Sequence, residues 1–542
     1  MKPIKTLFLL AIPSLLLAYP GEVIRSFPSP SPAPTGLTFD GKHLWMADHR
    51  TDRLTAIDPE TGETVREIPS PGFWPMGLAW DGENLWNADQ KQNKIFRVDP
   101  ADGAILTVLD SPAGRTEGLT WDGKTLWLSD SRNRKIIRID LSDGTATHSF
   151  ASPGQFPQGL AWDGTWLWCA DRLLDETHMI DPESGEVFLI AESPGPYPRG
   201  LAWDGLTLWN VDYQTDSLYQ MVRRDGDSYR LKNSRTARVT FTHEFRGRGR
   251  GIIREMNAYL AIPENLPQQT IRSIRFEPEG WREVRDRWDQ RFAHFHYEAL
   301  NPETRTASTM IVETEISEII YYIFPDRVGS LKDIPREIRE KYTADDSKYR
   351  TDSEYIRDLA AGIVGSETHP YRMARRIFDH VRLTLEYQLE GGWNSAPVVL
   401  ERGTGSCSEY TFAFIALCRA AGLPARYAGS IVVRGDDASL DDVFHRWPEV
   451  YLPGYGWVPM DPQGGDKESS RDRAMNIGRL PNRFLITTRG GGDSEYLGWY
   501  YNAWETFTTD PQVEVEIEAF GEWEPITAPG EEALLDPGGK CE

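Results

Sequence analysis

Short apolar runs recur along the first 220 residues at a fixed interval, each broken by a polar turn. GLTFDGKHLWMAD begins at Gly36, GLAWDGENLWNAD at Gly77, GLTWDGKTLWLSD at Gly118, GLAWDGTWLWCAD at Gly159 and GLAWDGLTLWNVD at Gly200, a step of 41 residues each time. A second motif keeps the step: IDPETGE at Ile57, VDPADGA at Val98, IDLSDGT at Ile139 and IDPESGE at Ile180. Self-similarity at this period predicts propeller blades of four short strands. Asp-Gly between two apolar runs favours a two-residue hairpin, because glycine accepts positive φ. The fifth unit runs out after SLYQMV, and GEVIRSFPSP, ahead of the first unit, reads as its missing fourth strand. Closing the ring in this way removes an open sheet edge. Five blades over residues 19–225 are expected, with six as the alternative if residues 223–260 add another.

The pattern then changes twice. RVTFTHEF, EMNAYLAIP, RFAHFHYEAL and STMIVETEIS alternate with period two and predict a β-sandwich-like domain over residues 226–330. After Pro335, SEYIRDLAAGIV and PYRMARRIFDHVR turn helical, opening an α+β domain over 331–510, with a strand and tail at 511–542. The expected fold class is therefore multidomain, an all-β propeller followed by a sandwich and an α+β domain.

The N-terminus adds a location. Lys2 and Lys5 precede an apolar run from Leu7 to Ala18, the layout of a signal peptide over residues 1–18. A secreted or periplasmic protein is expected, with an uncleaved anchor as the alternative and no membrane span once the peptide is removed. The 82 acidic residues exceed the 59 basic ones, a formal charge of −23, which argues against a nucleic-acid partner. Four cysteines (Cys169, Cys407, Cys418, Cys541) are scattered, without a C-x-x-C pair or clustered histidines, so neither a structural metal nor a cofactor is expected.

Cys407 stands out by position. In GTGSCSEYTFAFIALCRAAGLPAR, Gly403 and Gly405 permit a tight loop, and an apolar helix runs from about Cys407 to Ala421 before Gly422 and Pro424. A helix N-terminus favours thiolate over thiol and offers free N–H groups to an oxyanion. A thiolate nucleophile needs a base, and the base an orienting group. FHRWPEVYLPGYGWVPMDP supplies His445 and Asp461 on two strand-like runs joined at Gly454-Tyr455-Gly456.

These two stretches resemble the transglutaminase-like superfamily, with its papain-like fold, over about residues 366–465. The resemblance implies Cys407 as nucleophile, His445 as general base and acid, and Asp461 as the carboxylate that orients the histidine. It implies an oxyanion site from the Cys407 N–H and an upstream side chain, for which Trp393 in GGWNSAP is the candidate. Arg446 and Pro448 depart from the small and aliphatic residues common in the family at those places. The implied chemistry is attack on a carboxamide or peptide carbonyl through a thioester, with hydrolysis favoured and transfer to an amine as the alternative.

The repeats resemble exported propellers of the virginiamycin-lyase, NHL and YVTN type. Their recurring Trp and Asp residues read as core and loop supports, so ligand contacts are sought where the repeat breaks. Before each glycine stand Thr35, Met76, Glu117, Gln158 and Arg199; after each strand-ending Asp stand His49, Gln90, Ser131, Arg172 and Tyr213. Glu117, Gln158, Arg199, Arg172 and Tyr213 are the binding candidates. The expected partner is a protein or peptide substrate, with the cell envelope as one source, recruited by the propeller. A scaffold with a vestigial catalytic domain, and a propeller with its own lyase or cyclotransferase activity, are the alternatives.

Overall fold

The computed structural model describes residues 19–526, apart from 225, 390–392, 435–438 and 443. The expected signal peptide, Cys541 and most of the C-terminal tail lie outside the described residues. The chain forms two compact units, Met1–Ser228 with Glu468–Ala474, and Tyr229–Lys467 with Met475–Glu542.

The first unit is built from five four-stranded antiparallel sheets. Pro34–Phe39, Leu44–Asp48, Arg53–Ile57 and Thr64–Pro69 make the first, and the same order repeats from Pro75, Thr116 and Pro157. The last sheet takes Pro198–Trp203, Leu208–Asp212 and Ser217–Met221 from the fifth repeat and Val23–Pro28 from the N-terminal side. Phe27 lies opposite Leu218 in that pairing.

The repeat's invariant residues each have a mechanical task. A Cβ on Gly36, Gly77, Gly118 or Gly159 would come closer than 3.0 Å to the next sheet's backbone, and one on Gly200 would meet Gly36 and Leu37. The five first strands therefore adjoin one another in a closed cycle that only glycine permits. In each hairpin the Asp of Asp-Gly accepts the indole N–H of the following Trp, from Trp45 to Asp40 at 2.8 Å through Trp209 to Asp204 at 2.8 Å. The strand-ending aspartates bind loop backbone. Asp48 accepts the N–H groups of Ala33, Arg50 and Thr51, each at 2.8 Å. Within this unit Arg471 also pairs with Glu176.

The second unit contains two layers of sheet around one core. Gln269–Glu277, Arg305–Tyr321, Tyr229–Arg250, Gln512–Pro525 and Ser439–Asp441 run side by side, with Arg479–Leu480 paired to the second of them. The facing sheet is Arg282–Arg285, Arg291–Leu300, Ile253–Ala261 and Ala503–Thr509. Val239, Phe241, Met256, Phe295 and Val312 pack together between them. This differs from the expected boundaries at 330 and 510, because Ala503–Thr509 and Gln512–Pro525 lie in the same sheets as strands from before residue 330. Ile253–Ala261 and Tyr229–Arg250 would otherwise each present an unpaired edge.

A smaller antiparallel sheet carries the candidate chemistry, in the order Gly456–Pro459, His445–Leu452, Ala425–Val432 and Phe484–Gly490. Against it lies the helix Cys407–Ala420, in which Ser408 through Arg419 are all buried. Its apolar residues circle the whole axis, so it has no solvent face to offer. Glu354–Val364, Pro370–Thr384 and Ala396–Arg402 pack around it.

Candidate active site

Cys407 is the first residue of its helix, capped by Ser406. Glu409, the third helical residue, reaches back to the Ser406 N–H, one half of a capping box. Glu409 does more than cap. Its buried carboxylate takes the Ser406 N–H at 3.2 Å, the Asn394 N–H at 2.9 Å and Arg402 at 2.9 Å. It thus ties three points of the chain ahead of the thiol to the helix end. A Cβ on Gly405 would sit 2.9 Å from the Glu409 Cβ, which explains the glycine there. The sequence alone gives Glu409 no role.

His445 begins its strand opposite Ser430, and Asp461 follows Gly456–Pro459 on the paired strand. His445 Nε2 is 2.8 Å from Asp461 Oδ2, and Asp461 Oδ1 accepts the N–H groups of Gln463 at 3.1 Å and Gly464 at 3.2 Å. The Cys407 thiol is hydrogen-bonded to the His445 ring, which leaves Nδ1 as the nitrogen facing sulfur. Trp447 and Phe484 stack on the ring at 5.7 and 5.5 Å and fix its plane.

The electrostatics favour an ion pair. Burial opposes charge on His445, but Asp461 and then Cys407 outweigh it and raise the imidazole pKa to about 10. Burial likewise opposes a thiolate at Cys407. The His445 hydrogen bond and charge, then the Arg446 N–H and charge, overcome it and lower the thiol pKa. Cys418 and Cys169 are buried without such partners, and burial pushes both thiols up.

Arg446 is the feature that sequence reasoning registered only as a departure. It is fully buried, with its guanidinium over Tyr501 at 4.4 Å, Tyr427 at 4.7 Å, and Trp393 and Phe412 at 5.2 Å. Nη2 donates to the Trp499 carbonyl, while Nε and Nη1 have no partner. Aromatic faces thus hold a cation beside the thiol. Trp393 belongs to this cage, 4.6 Å from Tyr500, and does not line the cavity that contains the thiol.

That cavity, about 460 Å³, is lined by Cys407, His445 and Asp461 together with Tyr387, Leu389 and Trp447. Arg434, Lys467, Arg479 and Arg483 also border it.

The five candidates in the first unit converge in part. Glu117 and Arg199, 82 residues apart, are 3.4 Å from each other, and Arg115 and Ser131 also bind Glu117, at 2.9 and 2.7 Å. Arg172 lies over Phe156 at 3.4 Å and donates to the Tyr197 hydroxyl. Tyr213 packs on Tyr197 at 5.5 Å, and Gln158 is buried.

Residues 357–462 match the family model of the transglutaminase-like superfamily. The matched segment contains Cys407, His445 and Asp461. An uncharacterized protein of Haemophilus influenzae is 25% identical over 244 residues, 38% of this chain and 63% of that protein. The chain thus spans less than two thirds of that relative. Among solved structures, a "Putative Cysteine Protease" from Cytophaga hutchinsonii is 15% identical, with 54% of this chain and 92% of that one covered at a TM-score of 0.39. Virginiamycin B lyase from Staphylococcus aureus is 23% identical, with 36% and 68% covered at a TM-score of 0.26.

Proposed function

Residues 357–462 form a transglutaminase-like domain, and from that premise we propose that the protein is a thiol enzyme that cleaves carboxamide or peptide bonds through a thioester on Cys407. The observation that carries this reading is the chain of contacts from the Cys407 thiol to His445 and from His445 Nε2 to Asp461 Oδ2 at 2.8 Å, set at a helix N-terminus.

The Cys407 thiolate attacks the carbonyl carbon, and the C=O pair moves to oxygen as the tetrahedral oxyanion forms. The Cys407 N–H, at the first helical position and so without an intrahelical acceptor, faces that charge. Trp393, held against Arg446 and off the cavity, is not assigned to this charge. His445, protonated in the ion pair, gives its proton to the departing amine or ammonia. Water then attacks the thioester with His445 as base, and the thiolate is released with the acid product. Asp461 holds the ring through Nε2 and stabilises its charge.

The first unit is read as a five-bladed propeller, supported by the closed cycle of glycine contacts, with a substrate-recruiting role at the cell envelope. Residues 1–18 are read as the export signal. In the matching assay, wild type and Cys407→Ala are incubated with glutamine-containing peptides, with and without an added primary amine. Ammonia release and product masses are then followed. Free acid products from wild type alone support hydrolysis, amine adducts would replace it with transfer, and equal inactivity of both proteins on every peptide would remove the enzyme reading.

A further inference from the structure

Of ten buried side-chain polar atoms in the first unit without a partner among the described residues, five gather where the repeat breaks. They are His49 Nδ1, Gln90 Nε2, Gln158 Oε1, Arg172 Nε and Arg199 Nε. All belong to the residue before a repeat glycine or the residue after a strand-ending aspartate. Those positions share one end of the ring, because each first strand pairs with its neighbour Pro-to-Asp, as at Pro157 opposite Asp171 and Pro198 opposite Asp212. Folded interiors leave few buried polar groups unpaired, so such a concentration calls for a missing partner.

The surroundings describe that partner. His49 stacks on Trp74 at 5.3 Å and lies 6.3 Å from Tyr213. The Arg199 guanidinium is over Tyr197 at 5.1 Å and Tyr213 at 5.5 Å. Arg115 and Arg199 already share Glu117, whereas Arg172 has no acidic partner among the described residues. Three guanidinium groups thus share one carboxylate, so positive charge is left to neutralise, and the planar edge of Arg172 suits a carboxylate. Burial, with the Arg199 charge adding to it, lowers the His49 pKa and leaves a neutral hydrogen-bonding ring at pH 7. Gln90 offers a donor and Gln158 an acceptor, the complement of a backbone amide.

We propose that this end of the five-sheet ring binds a peptide carboxylate, with Arg172 and Arg199 holding the charge, Gln90 and Gln158 the adjoining amide, and Trp74 and Tyr213 the flank. The inference deepens the recruiting role proposed above and rests on it for its biological meaning.

The test uses the full chain carrying Cys407→Ala, so that binding is read without turnover and its failure stays separate from any failure of the catalytic reading. Titration calorimetry would compare three peptides and inorganic phosphate. Acetyl-Ala-Ala-Glu-Ala-amide carries a side-chain carboxylate, acetyl-Ala-Ala-Gln-Ala a C-terminal one, and acetyl-Ala-Ala-Gln-Ala-amide none. At least one carboxylate peptide should bind about tenfold or more tightly than the neutral one, and the pair tells which source is preferred. Arg172→Gln and Arg199→Gln should each weaken that binding about tenfold or more, with thermal melts reporting on the fold. Gln90→Leu supplies the control that survives a folding defect. It should leave the melting temperature unchanged or raise it, since it removes an unpaired buried amide, yet still weaken the peptide. No preference for a carboxylate, preference for phosphate, or full binding by the Arg172 and Arg199 variants would overturn the proposal.

Discussion

The proposed chemistry reduces to how two groups share a proton. The lowered Cys407 pKa and the raised His445 pKa bracket a window in which thiolate and imidazolium coexist. Activity should therefore appear as pH rises through the Cys407 value, below that of an ordinary thiol. It should fall again as His445 loses its proton near pH 10, a bell measured as kcat/KM against pH. Asp461→Asn removes the largest contribution raising the His445 pKa. That value then falls, the ion pair weakens, and kcat/KM at pH 7 should drop by roughly 10²–10⁴-fold. Arg446→Met takes away a buried charge that favours the thiolate. The acid limb of the bell should move to higher pH while the His445–Asp461 contact stays. Cys407, His445 and Asp461 were legible because each motif places its residue at a helix start or strand end. Arg446 was visible only as an unusual residue. Nothing in HRWPEVY tells that four aromatic rings from separate segments enclose its side chain.

At the scale of elements, the helix Cys407–Ala420 depends on its first turn. Glu409 connects three segments through Ser406, Asn394 and Arg402. Glu409→Gln keeps the shape but loses charge-assisted bonds, and should cost about 1.5–3 kcal/mol in urea unfolding. It should lower thiol reactivity as well, because the helix end that carries Cys407 loosens. Gly403–Gly405, the apolar run and the Gly422 stop made this helix readable from sequence alone. The strands Ala503–Thr509 and Gln512–Pro525 were harder to assign. They complete sheets begun some 250 residues earlier, and local alternation carries no record of such distant partners.

For the molecule as a whole, the 41-residue period was the plainest signal, since every repeat restates the same glycine, tryptophan and aspartate contacts. What the period could not show was the pairing of Glu117 with Arg199, because residues that break a repeat carry no pattern. The ring's closure rests on Val23–Pro28 lying against Ser217–Met221. A chain starting at Ser29 would leave that strand edge open and lose the burial of Phe27 against Trp209, at 6.4 Å. Its first unit should be destabilised by at least about 2 kcal/mol in thermal melts, and light scattering should report association through the exposed edge.

The central claim is that the fold activates one thiol. The most direct measurement is iodoacetamide alkylation of the native protein from pH 5 to 10, with each cysteine followed by peptide mass spectrometry. The account predicts that Cys407 reacts with a midpoint below that of a free thiol, roughly 8.5, while Cys169 and Cys418 stay unmodified until the protein unfolds. A Cys407 midpoint at or above the free-thiol value, or labelling of Cys418 at the same rate, would contradict it.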